Sequence, residues 1–126
     1  MTIAERMPTD SMKTAKEYFL KAIRELDTRA VYHFNLAPTY AFLEDHHNAE
    51  LQFVKAIELD PDYTQAYHNL FLVYFSQKKF NEAYSINSKL IELTPNEVYP
   101  YLNFGSYYIS TGDTSKALDN LEKARS

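Results

Sequence analysis

An all-α fold of stacked helix hairpins is what the sequence predicts, and three observations predict it. Identical or similar residues recur at a step of 34: Ala15, Ala49, Ala83 and Ala117; Asn35, Asn69 and Asn103; Tyr40, Tyr74 and Tyr108. A fixed period of that length marks a stacked helical repeat, in which one unit is a pair of helices. Apolar residues return every three or four positions rather than every two, which is the helical spacing. Glycine occurs only at Gly105 and Gly112, so the chain has few natural breaks.

Each element has its own justification. Residues 1–10 are expected to be a flexible leader, with Pro8 as a breaker. Residues 11–29 form an N-terminal helix, half a repeat, whose Ala15, Phe19, Ala22 and Ile23 share one face; Thr9, Asp10 or Ser11 can cap it. Asp27 and Thr28 offer the cap of a second helix, from about Arg29 to Leu43. Glu44 to Asn48 reads as a turn, and a third helix runs from about Asn48 to Leu59. Pro61 disfavours helix at Asp60, and Asp62 can cap the helix at about 63–76. Gln77-Lys78-Lys79 separates that helix from the one at about 81–93, and Thr94-Pro95-Asn96 repeats the proline punctuation. The last pair spans about 97–110 and 114–125, with Gly112 suited to a left-handed C-cap and Asp113 to the following N-cap. About seven helices and no strands follow. The units are 30–63, 64–97 and 98–126, the last without a separate capping helix. A lone hairpin cannot bury both its faces, so each unit relies on the next for cover.

Composition narrows the function. At 126 residues the chain is one domain, with 45% hydrophobic residues and a core rich in its eleven tyrosines and eight phenylalanines. A net charge of -4 with scattered Lys and Arg argues against a nucleic-acid binder, which needs a basic stripe. Cysteine is absent, which removes disulfides, thiolate metal sites and Cys nucleophiles. No apolar run approaches membrane-spanning length and no signal segment opens the chain, so a soluble cytoplasmic protein is expected.

The columns together resemble the tetratricopeptide repeat (TPR) family. Residues 30–63 supply His33, Leu36, Ala37, Tyr40, Ala49, Phe53, Ala56 and Pro61 at the family's pattern positions. Residues 64–97 supply Tyr67, Leu70, Phe71, Tyr74, Ala83, Asn87, Leu90 and Pro95, and residues 98–126 supply Tyr101, Phe104, Gly105, Tyr108, Ala117, Leu121 and Ala124. Ala15, Phe19 and Ala22 match the second half of a unit. The resemblance implies a right-handed superhelical solenoid of antiparallel hairpins. Four departures stand out: Phe71 where a small residue is usual, Asn87 where an aromatic is usual, Glu44 in place of the turn glycine, and Pro38 inside a helix. Pro38 is expected to kink or unwind its turn, at about 3 kcal/mol in an unadapted helix.

The resemblance also implies a concave groove lined by the first helix of each unit. Carried over, it holds Phe34, Asn35 and Phe42; Gln65, His68, Asn69, Leu72 and Phe75; and Tyr99, Leu102, Asn103 and Ser106. The asparagine column could read a peptide backbone through amides that both donate and accept, or it could bond within its own helices. The apolar residues invite an amphipathic helix or apolar peptide, the chain's own terminus, or a second copy. The basic side chains with which some family members clamp a terminal carboxylate are missing, so binding of acidic chaperone tails by that clamp is disfavoured.

Other features carry less chemistry. His46 and His47 lie beside Glu44 and Asp45, but adjacent histidines diverge on a helix and no Cys assists, so no metal site is expected. His33 replaces the tyrosine of later units and reads as a core histidine. No nucleophile elbow or phosphate-cradling glycine loop is present, so neither an enzyme nor a cofactor is expected. The expected function is a non-catalytic scaffold or adaptor that binds a peptide or helix. The alternatives are a self-assembling homodimer, suggested by the half unit at one end and uncovered Leu118 and Leu121 at the other, and a regulatory fragment of a larger protein.

Overall fold

The computed structural model describes residues 3–126, with the side chains of 3–10, 12, 23, 26 and 27 left aside. Its helices are α1 (Ile3–Phe42), α2 (His46–Leu59), α3 (Thr64–Ser76), α4 (Phe80–Leu93), α5 (Tyr99–Thr111) and α6 (Thr114–Arg125). No strand occurs among the described residues. Each helix packs on the next in sequence, and α3 also touches α5. That is the contact pattern of a helical repeat solenoid, in which each unit meets only its neighbours.

All seven expected segments are helical, but the first two run together as one 40-residue helix. The expected cap at Asp27–Thr28 does not form, and the reason lies 34 residues downstream. Asp27 occupies the column of Pro61 and Pro95. At those prolines the break is reinforced: Tyr67 Oη donates to the Pro61 carbonyl at 2.7 Å, and Tyr101 Oη donates to the Pro95 carbonyl at 2.7 Å. In the first unit the tyrosine is His33, whose Nδ1–H donates instead to Gln52 Oε1 on α2 at 2.6 Å. Neither the proline nor its phenolic tie is present, so the helix continues.

Two further expectations change. The backbone is helical from Ile3, where a flexible leader was expected. Ala4, Glu5, Arg6 and Met7 are strong helix formers, and Pro8 costs one hydrogen bond close to the helix start. Residues 1 and 2 lie outside the described residues. Pro38 does not unwind α1, which stays helical to Phe42. Pro38 is exposed on the helix surface, and its missing N–H leaves the Phe34 carbonyl without an intrahelical partner while the helix carries on to its end.

The first helix of each packed unit ends in the same way. Glu44, Lys78 and Gly112 take φ of 60°, 59° and 85°, the left-handed region. The following amides, of Asp45, Lys79 and Asp113, donate back to Tyr40, Tyr74 and Tyr108 at 2.8, 2.9 and 2.9 Å, which makes three Schellman caps one period apart. Asp45 and Asp113 then cap α2 and α6, accepting from the Asn48 and Lys116 amides at 3.3 and 3.1 Å. Asp62 does not cap α3. Its own amide donates to Asp60 Oδ1 at 3.1 Å, and α3 starts at Thr64 behind Tyr63.

The core explains the departures at Phe71 and Asn87. A Cβ built on Gly105 would lie 2.7 Å from Leu121 Cδ2, so these two columns face each other within a hairpin. The opposed pairs are therefore Ala37 with Phe53, Phe71 with Asn87, and Gly105 with Leu121. One member is small and the other large in each, with the order reversed in the middle unit. Phe71 occupies the volume that an aromatic at position 87 would fill, as close packing requires.

Candidate functional site

Residues of α1, α3, α4, α5 and the α4–α5 loop line an open cavity of about 550 Å³, set mainly between the second and third units with Phe34 of the first at its edge. Five of the residues expected in the groove line it: Phe34, Gln65, His68, Asn69 and Tyr99. Phe34 is half-buried, stacked on Tyr63 with ring centroids 4.9 Å apart and edge-on to Phe53 at 5.9 Å. Tyr99 lies beside the His68 ring, centroids 5.3 Å apart. Thr64, Leu90, Thr94, Glu97 and Pro100 complete the wall. Thr94, Glu97 and Pro100 were missed because the sequence marks the 94–100 region only as punctuation between helices, and Leu90 was read only as a packing residue.

The remaining expected groove residues do not line this cavity. Asn35, Phe42, Leu72, Leu102 and Ser106 are exposed on their helices. Phe75 stacks on Phe71 at 5.5 Å and meets Phe80 edge-on at 6.0 Å. Asn103 is buried. The asparagine column therefore presents three different environments: open at Asn35, cavity wall at Asn69, interior at Asn103.

Asn103 belongs to a hydrogen-bonded chain whose polarity follows from one end. The Pro100 carbonyl can only accept, so Asn87 donates to it through Nδ2 at 2.8 Å. Asn87 Oδ1 must then accept, and Asn103 Nδ2 donates to it at 3.0 Å. The same Nδ2 lies 3.0 Å from His68 Nδ1. Nδ1 therefore accepts, which requires a neutral imidazole carrying its proton on Nε2. Burial pushes the His68 pKa below its ordinary value, in the same direction. The outcome is a wall residue held neutral, and Glu97 as the single formally charged residue lining the cavity.

The tyrosine column serves packing. Tyr74 has its pKa pushed up to about 12, first by burial and then by the neighbouring Glu50 carboxylate. Glu50 also pairs with Lys79 at 3.2 Å and so ties α2 to the start of α4. His46 Nδ1 is buried without a hydrogen-bond partner at the first turn of α2. Among the described residues no three His, Cys, Asp or Glu side chains converge on one point, and no helix is long and apolar enough to cross a membrane.

This architecture has relatives of known type. The tetratricopeptide repeat family model matches residues 30–63 and 98–124, and residues 64–97 between them keep the same phase. Human tetratricopeptide repeat protein 6 is 29% identical over 67% of this chain. The yeast small glutamine-rich tetratricopeptide repeat-containing protein 2, from Saccharomyces cerevisiae, is 28% identical over 69% of it. The matched stretch spans only 16% and 25% of those proteins' own lengths. Among solved structures, the TPR2B domain of yeast Sti1, in complex with pHsp70, superimposes with a TM-score of 0.73 at 26% identity, covering 78% of each chain. The 34-residue phase, the paired helices and these matches agree: the chain belongs to the tetratricopeptide repeat family.

Proposed function

We propose that this chain is a non-catalytic protein-binding module that captures a segment of a partner, seating one of its side chains in the cavity between the second and third units. The observation that carries this reading is the make-up of the wall. Two aromatic rings, Phe34 and Tyr99, stand with uncharged Gln65, Asn69 and neutral His68 around one carboxylate, Glu97, and no Lys or Arg lines the space. Aromatic faces and a carboxylate favour a cation, and a cavity without a cation of its own disfavours an acid. The ligand is accordingly a peptide anchored by Lys or Arg rather than an acidic tail. The likeness to a TPR domain solved in complex with pHsp70 supports protein binding in general. The exposed Leu72 and Leu102 beside the cavity supply apolar contact for the flanking residues of the segment.

The test is fluorescence anisotropy against a synthetic peptide array with basic, neutral and acidic anchors. Peptides with a central Lys or Arg are expected to bind, and Glu97→Gln and Tyr99→Ala should each weaken them several-fold without altering the circular dichroism spectrum. Preference for acidic peptides, or equal affinity in both variants, would overturn the assignment.

A further inference from the structure

The residues of α1 before the first packed unit carry the pattern of a buried helix and are not buried. Ala15, Phe19 and Ala22 fall in the columns of Ala49, Phe53 and Ala56, which lie in the core of the first unit. Phe19 is 72% exposed where Phe53 is 2% exposed. Every residue from Ser11 to Arg29 with a described side chain is exposed. The same mismatch occurs on the other half of α1. Tyr32 is 63% exposed, although Ala66, one period later, is fully buried against Phe53 and Ala56 in one cluster.

These two exposed faces are the two sides of one missing junction. In the packed units the second helix of one unit lies against the first helix of the next, as α2 lies against α3 and α4 against α5. The equivalent partners before α2 are residues 11–27 and 30–42. They lie end to end on one continuous helix, so within a single chain they cannot meet.

We infer that α1 is the dimerisation element, and that a second copy of this chain covers it by exchange. Two α1 helices set antiparallel about a two-fold axis near Asp27 and Thr28 place residues 11–27 of each copy on residues 30–42 of the other. Two junctions of the kind seen between α2 and α3 then form, with Ala22 meeting the second copy's face at Tyr32 and Leu36. A self-complementary patch of this kind closes as an isologous dimer, and a hinge turn converted to continuous helix is the usual geometry of an exchanged element. The occupant is a second copy because the required surface is present on this chain and faces outward. The inference is independent of the cavity and of its ligand.

Light scattering across a dilution series of the full chain is expected to give twice the chain mass, with dissociation on dilution. Phe19→Asp should give the single-chain mass with an unchanged helical spectrum, because Phe19 supports nothing within its own chain. Asp27→Pro, which restores the proline of the later junctions, should also shift the protein to monomer. The chain has no cysteine, so a double variant Ala22→Cys, Tyr32→Cys reports the contact directly. The two positions are about 15 Å apart along a continuous helix, beyond the roughly 7 Å between Cα atoms that a disulfide spans. Mild oxidation should therefore yield a covalent dimer on a non-reducing gel. A single-chain mass for the wild type throughout the series, a dimer that survives Phe19→Asp, or a disulfide formed within one chain would each overturn the proposal.

Discussion

The two junctions that join the three packed units are built from opposite materials. Between α2 and α3 the contact is apolar: Phe53, Ala56, Ala66 and Leu70 share one buried cluster. Between α4 and α5 the buried centre is polar, with Asn87 bonded to the Pro100 carbonyl and to Asn103, and Asn103 in turn to His68. An apolar contact depends on shape and tolerates any pH. A buried amide chain depends on direction, because each group must find a donor or acceptor of the right kind. The polar junction is also the one beside the cavity. It ties one wall residue, Pro100, to Asn87 of the second unit, and another, His68, to Asn103 of the third. The comparison suggests a division of labour in which one junction holds the solenoid and the other positions the site.

The largest expected effect lies in the apolar junction. Phe53→Ala should cost about 3–5 kcal/mol, read from urea unfolding, because it empties a fully packed position. Asn87→Ala should cost less, about 1–3 kcal/mol, because it strands the Pro100 carbonyl and part of the Asn103 amide without emptying a large volume. It should also weaken peptide binding at the cavity. Equal costs, with no effect on binding, would break the distinction between the junctions.

Acid separates them further. The folded His68 pKa lies below the ordinary value of 6.5, so as pH falls the unfolded chain takes up the proton first. Stability from this group is complete above that value and declines as pH falls from it toward the lowered folded value. Protonation at Nδ1 would also set a donor against the Asn103 amide. The melting temperature should therefore fall between pH 7.5 and 5.5, and His68→Gln should flatten the part of the decline that this residue causes. An unchanged slope in that variant would remove His68 from the account.

The smallest effect is a control on the comparison. Glu44 and Lys78 share the same left-handed cap, one in each of the first two units. Glu44→Gly and Lys78→Gly should each stabilise the chain by about 1 kcal/mol through relief of the Cβ contact that conformation imposes. Similar gains at both positions would show that the helix ends are equivalent and that only the junctions differ.

Much of the local structure was legible in the sequence. The step through Ala49, Ala83 and Ala117 located the close helix contacts, and Gly112 and Asp113 marked a cap and a start that the structure retains. The fusion of the first two segments was not read from the sequence, although one sign of it was there: the column of Pro61 and Pro95 has Asp27 in place of proline. Asp27 and Thr28 read as a cap, and a cap residue only permits a break where proline compels one. The site was less legible. Asn87 was recognisable as a departure, but its partners lie across a unit boundary at Pro100 and Asn103. Expected groove residues such as Phe34 and Asn103 are partly or wholly committed to the core.

The sequence by itself determined the repeat, its phase and most of the helix boundaries. Those depend on backbone propensity, caps and side-chain type, which act within a turn or two of the chain. Only the tertiary structure decided which asparagine lines the cavity, which histidine is held neutral, and which copies of a column are covered. Burial and hydrogen-bond direction are properties of two helices in contact, and Phe19 and Phe53 share a column while only Phe53 has a helix to meet.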